Sequence, residues 1–254
     1  MRWIALAALL AVPAGAAELK PKTLEAFQQY VRQTEDRLAA SKTFLWADES
    51  PERARRVRQG EVVVTPFHEK PEVKIKDGLI HDWVGSVFIP GVTLDRVLSM
   101  VQDYNHHKDA YKPDVIDSKL LSRQGNDFRI YLRVLKKKVI TVVLNTEHEV
   151  QYSRVDGARW KSVSRTTKIS EVENAGKKDE REKPPDTGEG FLWRLNSYWR
   201  FEERDGGVYM ECQALSLTRD VPTGLGWLIE PIIRNLPKES LESTLRNTRS
   251  ALAK

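Results

Sequence analysis

The stretch Arg194–Gln213, RLNSYWRFEERDGGVYMECQ, decides the fold. Its residues sort by twos. With Trp193 just before it, Leu195, Trp199 and Phe201 share one parity, and Arg194, Asn196, Arg200 and Glu202 share the other. Past Asp205-Gly206-Gly207, Val208, Met210, Cys212 and Ala214 alternate with Tyr209, Glu211 and Gln213. Alternation on both sides of a glycine turn predicts a β-hairpin. One face of that hairpin carries tryptophans, a phenylalanine, a methionine and a thiol. It is either a filled core or the wall of a cavity.

The same two-residue period extends upstream. Phe128, Ile130, Leu132 and Val134 alternate with Arg129, Tyr131 and Arg133 over 127–135, a half-buried strand. Runs at 115–122, 138–153 and 158–172 also read as strands. In 138–153, Ile140, Val142, Leu144, His148 and Val150 share a face. A strand at 61–67 and a longer one ending at Pro90-Gly91 precede these, with Asp77-Gly78 as a hairpin-type turn. Between them, Thr93 caps a predicted helix whose stripe is Leu94, Val97, Leu98 and Val101. The chain ends in a second apolar stripe, Leu225, Leu228, Ile229, Ile232, Ile233, Leu236, Leu241, Leu245 and Leu252, in which Pro231 and Pro237 are expected to kink or restart the helix. Strands, one short helix, more strands and a long terminal helix indicate an α+β fold. A curved antiparallel sheet has an apolar face to cover, and the last helix is long enough to lie across it.

The first 16 residues read as a secretory signal peptide: Arg2, an apolar run from Trp3 to Val12, and Ala14-Gly15-Ala16 as cleavage site. Export to the periplasm or medium is the expectation. Residues 17–60 form an N-terminal extension and linker, with a helical stripe of Leu24, Phe27, Val31 and Leu38. Residues 61–254 form the main domain. Its segment 174–190, NAGKKDEREKPPDTGEG, is too charged to bury a core and is expected to be a mobile loop. A single cysteine, Cys212, excludes an internal disulfide, so burial must supply the stability. The formal charge of +5 fits loose peripheral contact with an anionic membrane. No basic surface interleaved with aromatics points to nucleic acid, and no phosphate-binding glycine loop, nucleophile elbow or zinc-protease helix is present. The sequence names no cofactor and no protein partner.

At this point the chain resembles a family. GLIHDWVGSVFIPG (78–91), VLSMVQDYNHHKDAYKPDVIDSKLL (97–121), YWRFEERDGGVYMECQALSLTRDVP (198–222) and PKESLESTLRNT (237–248) resemble the START-like, or SRPBCC, superfamily, which includes polyketide cyclase/aromatase and coenzyme Q-binding groups. The resemblance covers about residues 78–252 and rests on element order rather than on a catalytic motif. It implies a helix-grip fold, a curved antiparallel sheet wrapped around the long C-terminal helix with an apolar cavity between them. Trp193, Trp199, Phe201, Met210 and Cys212 would then face that cavity. Tyr104, Tyr111 and Tyr131 are candidate polar contacts, His148 a candidate inward group, Trp227 a candidate gate and Ile233 a candidate wall residue.

These residues support binding of a lipid or other apolar small molecule. A cyclase/aromatase-type enzyme would need His148 to converge with Tyr131 or Tyr104, and a protein-interaction module would have a filled core. Asp103, His106 and His107 have spacings a metal site can use, but a solvated helix end is the expected reading. Arg129, Arg133, Arg194 and Arg200 are expected on a wet outer sheet face, with Glu211 and Arg219 close enough to pair there.

Overall fold

The structure is a computed structural model that describes residues 17–137, 141–220 and 226–253, with side chains in the last segment described from Asn235 onward. The expected signal peptide therefore lies outside the described residues, as do the side chains of Trp227 and Ile233.

Twelve described strands and five described helices follow one another as β1 (Ala17–Glu18), α1 (Pro21–Ala40), α2 (Pro51–Arg58), β2 (Val63–Pro66), β3 (Glu72–Ile75), β4 (Gly78–Pro90), α3 (Leu94–Val101), α4 (His107–Ala110), β5 (Val115–Gln124), β6 (Asp127–Lys137), β7 (Thr141–Arg154), β8 (Arg159–Glu173), β9 (Arg181–Glu182), β10 (Thr187–Gly188), β11 (Arg194–Arg204), β12 (Gly207–Arg219) and α5 (Gly226–Leu252), with 3-10 turns at Trp46–Glu49 and Tyr104–His106. The main sheet has the order β2-β4-β12-β11-β8-β7-β6-β5, with β3 continuing along the same edge of β4 as β2. Every pairing in it is antiparallel. α5 lies against its inner face, meeting β4, β2 and β12. This is the α+β helix-grip layout.

The quoted hairpin forms as its alternation requires. Arg204 pairs with Gly207 across a two-residue turn, and Phe201 and Trp199 sit opposite Met210 and Cys212. Asp205 (φ 56°) and Gly206 (φ 75°) both take left-handed conformations. That is the turn whose twist matches a right-handed hairpin, and it favours a short polar residue followed by glycine. Gly85 has a different function. A Cβ there would lie 2.8 Å from both Leu245 Cδ1 and Val64 Cγ2, so its absence lets α5 approach the sheet closely.

Several expectations are corrected. α5 runs unbroken from Gly226 to Leu252, so Pro231 and Pro237 do not split it. The segment 174–190 contains β9, which pairs with β8, and β10, which pairs with β1. Glu171 fastens its end, accepting from the backbone N–H of Glu189 (2.8 Å) and Gly190 (3.0 Å). A charged stretch need not be solvated: one buried carboxylate here ties down several backbone donors.

The largest correction concerns the outer face. It is wet over much of β5–β8, but over β4, β12 and β11 it is covered by the N-terminal segment. Phe27 of α1 packs in a cluster with Ile80, Trp193, Tyr198, Leu215 and Leu217. Leu45, Trp46, Ala47 and Val57 pack with Val84, Phe88 and Tyr209. Residues 17–60 thus form a second layer on the sheet rather than a free linker, and Arg200 is no surface residue. Its guanidinium donates to Phe44 O (2.8 Å) and Leu38 O (3.2 Å) beneath that layer. Glu211 does not pair with Arg219. It accepts from Trp46 N (2.8 Å) and Ala47 N (3.0 Å), while Arg219 donates to Glu189 O (3.0 Å). Arg194 pairs with Asp186, and Arg133 with Glu180 at 2.9 Å.

Candidate functional site

Between the inner face and α5 lies an unfilled cavity of about 360 Å³. That falls in the size range of small-molecule sites. Each strand contributes its inward parity: Ile130, Leu132 and Val134 from β6, then Val142, Leu144 and Val150 from β7. Trp199, Phe201, Met210, Cys212 and Ala214 from β11 and β12 form the opposite wall. The rings of Trp199 and Phe201 stack with centroids 6.3 Å apart. Leu236, Pro237 and Leu241 of α5 form the roof. The opening question is answered: the aromatic face of the hairpin is a cavity wall.

Many lining residues carry hydrogen-bonding side chains, and most of these already have partners. At one end Tyr104 and Tyr152 share a bond between their hydroxyls (2.9 Å), and Tyr111 meets Thr248 Oγ1 of α5 (3.0 Å). Burial pushes the Tyr104 phenol well above its ordinary value and Tyr111 up to about 12, so both stay neutral. On β7, His148 Nε2 lies 2.9 Å from Thr146 Oγ1, and its Nδ1 lies 3.4 Å from Ser164 Oγ of β8. Burial pulls the imidazole down to about 4, so it is uncharged near neutrality. The charged pair in the lining, Lys136 and Asp114, is closed on itself at 2.8 Å. Cys212 is fully buried, and burial raises its thiol well above the ordinary value, which makes it an inert wall residue.

Of the residues singled out from the sequence, Tyr104, Tyr111, His148, Trp199, Phe201 and Met210 border the cavity. Two do not. Tyr131 points outward, its hydroxyl donating to Asn145 Oδ1 (2.9 Å), because its neighbours Ile130 and Leu132 own the inward parity of β6. Trp193 packs on the outer face with Phe27 and Leu217. It precedes the ladder of β11, and the two-residue alternation holds only inside a ladder; Leu192 and Phe191 border the cavity instead. Asp103, His106 and His107 do not converge. His106 Nδ1 meets Asp103 at 2.8 Å at the surface, whereas His107 is buried in the cavity lining with Nε2 3.1 Å from Val101 O. α3 ends at Val101 and a 3-10 turn follows, so α-helical spacing fails there. Among the described residues no group of three metal-ligating side chains occurs. Sequence reasoning missed Tyr152, His107, Thr146 and Ser164. Tyr152 could have been found, since it extends the parity of Leu144, His148 and Val150 by one step.

No family model and no curated protein matches the chain. Among solved structures it is similar to a STAR-related lipid transfer protein fragment from Xanthomonas axonopodis, with 17% identity over 76% of this chain and 99% of that one, at TM-score 0.46. It is similar to human STARD10, with 9% identity over 80% of both chains, at TM-score 0.43. It is also similar to the Zhui aromatase/cyclase from Streptomyces sp. R1128, with 11% identity over 68% of this chain and 94% of that one, at TM-score 0.39. The fold assignment stands on this chain's own strand order, pairing and C-terminal helix.

Proposed function

We propose that this protein binds an apolar or amphipathic small molecule of the lipid class between its sheet and α5, and acts as a carrier rather than as a catalyst. The unfilled cavity carries this reading. Protein interiors pack to the density of organic crystals, and a void of about 360 Å³ under apolar walls is otherwise a stability loss with no return. That space lies in the range that holds one small-molecule ligand, such as an alkyl chain or a small fused-ring system. Burying each methylene contributes about 0.8 kcal/mol before the cost of ordering the ligand.

A cyclase-type reaction is less well supported. Such chemistry needs titratable groups that converge on a substrate. Here Tyr131 lies outside, Tyr104 is spent on Tyr152, and His148 is neutral and bonded to Thr146. Export fits the signal-like first 16 residues, and the formal charge of +5 suits collection of ligand from an anionic membrane surface.

The test is native mass spectrometry of the purified protein, with lipid extraction and a thermal-shift screen against apolar ligands. A co-purifying mass released by organic solvent is expected. A chain that carries none, and whose melting temperature no apolar ligand raises, overturns the proposal.

A further inference from the structure

The tautomer of His148 follows from its neighbours. A threonine hydroxyl has one proton to give. Thr146 Oγ1 gives it to Leu132 O at 3.0 Å. With that proton on Leu132 O, the hydroxyl accepts at the 2.9 Å contact with His148 Nε2. The ring is thus protonated on Nε2, and Nδ1 keeps its lone pair. His148 lines the cavity, and among the described residues the hydrogen-bonding neighbour of Nδ1 is Ser164 Oγ, at the long distance of 3.4 Å. Side by side on β7 and β8 stand one acceptor and one rotatable donor, Nδ1 and the Ser164 hydroxyl, in a wall that is otherwise mostly hydrocarbon.

We propose, resting on the carrier reading above, that His148 Nδ1 and Ser164 Oγ form the receptor for a single neutral hydroxyl, so that the ligand is an apolar alcohol or phenol. A hydroxyl donates once and accepts from another donor, which is the complement of this pair. A hydrocarbon leaves the pair as it is and gains nothing from it. An ether oxygen cannot donate to Nδ1. A carboxylate would place its charge against a lone pair in a dry wall, and the lysine among the described lining residues, Lys136, is already held by Asp114. Discrimination of this kind is strong because a buried polar group left unpaired is costly, while a matched one is not.

The experiment uses the full mature chain and three probes of equal ring size: 2-naphthol, 2-methoxynaphthalene and 2-naphthoate, titrated at pH 7 by calorimetry and fluorescence. The naphthol is expected to bind at least about tenfold tighter than the methyl ether, with no measurable naphthoate binding. In Ser164→Ala the ratio of naphthol to methoxynaphthalene affinity is expected to shrink severalfold, and in His148→Leu to fall to about one. Should His148→Leu fail to fold, Ser164→Ala carries the comparison alone. Nitrogen-15 NMR of the imidazole tests the premise separately, and a proton on Nδ1 in the free protein overturns the assignment. Equal affinity for naphthol and ether, or tighter binding of naphthoate, overturns the hydroxyl receptor and leaves the carrier reading standing. If none of the three binds, the hydroxyl receptor falls, and the carrier reading is decided by the co-purification and thermal-shift test above.

Discussion

Strand β12 presents two surfaces built on opposite principles. Toward α5 it shows Met210, Cys212, Ala214, Ser216 and Thr218, all of which border open space. Away from α5 it shows Tyr209, Glu211, Gln213, Leu215 and Leu217, all buried under the N-terminal segment. The inner surface leaves room and holds only neutral groups. The outer surface is filled and holds charges. Gln213 Nε2 donates to Asp82 Oδ1 (2.6 Å), Tyr30 donates to Asp82 Oδ2 (2.9 Å), and Arg37 donates to Gln213 Oε1 (2.8 Å). Burial holds the Asp82 carboxyl above its usual range against those bonds. One strand thus separates a face that can exchange its contents from a face that fastens a covering layer. Buried polarity by itself does not mark a ligand site; what marks one is a polar group beside space.

The contrast breaks most visibly at Glu211. Its carboxyl group accepts from Trp46 N and Ala47 N, the start of the turn that anchors the covering layer. Glu211→Ala strands both N–H groups in a dry interface and is expected to lose about 3 kcal/mol of stability at pH 5, read as a lowered urea midpoint. Cavity-ligand binding by the folded fraction is expected to be unchanged. Burial pushes this carboxyl up to about 7, against the two N–H bonds and Arg200. An unfolded glutamate titrates near the ordinary value of about 4.3, so the fold holds the proton more tightly than the unfolded chain does. The stability this contributes is fully present below the unfolded value and is lost as pH rises through 7. The shift corresponds to about 3 kcal/mol between pH 4 and 8. Glu211→Gln does not titrate, so the stability difference between wild type and this variant is expected to move by that amount across the window. A flat difference curve rejects the assignment.

The sequence carried half of this contrast openly. Alternation in 127–135, 138–153 and 194–213 follows from a sheet with one face toward a core, and it sets Trp199, Phe201, Met210 and His148 on the face that borders the cavity. The covering layer was also written in the chain, in two signals that were not combined. Leu79 to Ile89 has almost no alternation, and every residue of β4 except Pro90 is buried, as expected for a strand covered on both faces. The stripe of Leu24, Phe27, Val31 and Leu38 needed a partner. What could not be read is the receptor pair. Thr146 and Ser164 are small polar residues on strands, and solvated strand faces carry the same types. Only the pairing of β7 with β8 brings Ser164 beside His148.

A second substitution sharpens the comparison from the inner side. Ala214 borders the cavity, so Ala214→Leu adds three carbon groups into existing space. Enlarging a residue in a filled core costs about 1–3 kcal/mol. Here the added carbons meet a void, and stability is expected to stay within about 1 kcal/mol of wild type, or rise, because new contacts replace none. Ligand affinity is expected to fall at least about tenfold. Thermal shift with and without 2-naphthol measures both. A large loss of stability shows the inner face to be as tightly filled as the outer one.

The smallest effect tests whether neutral bonds on the inner side are as dispensable as their geometry implies. Tyr111 donates to Thr248 Oγ1 at 3.0 Å, and Thr248 in turn donates to Thr244 O within α5 at 2.9 Å. Tyr111→Phe removes the first bond without stranding a donor: the threonine proton keeps its carbonyl, and only one lone pair of the hydroxyl goes unused. The aromatic ring, which meets His107 edge-on at 4.9 Å, stays in place. The expected loss is about 1 kcal/mol, the ordinary net worth of one neutral hydrogen bond. It is also expected to be independent of pH from 5 to 8, because the Tyr111 phenol, pushed up to about 12 by burial, carries no charge in that range. The ratio to Glu211→Ala is the informative quantity. A loss as large as that of the buried carboxylate, or one that varies with pH, means that this end of the cavity is held by charge as the outer face is, and the two sides of the sheet no longer differ in kind.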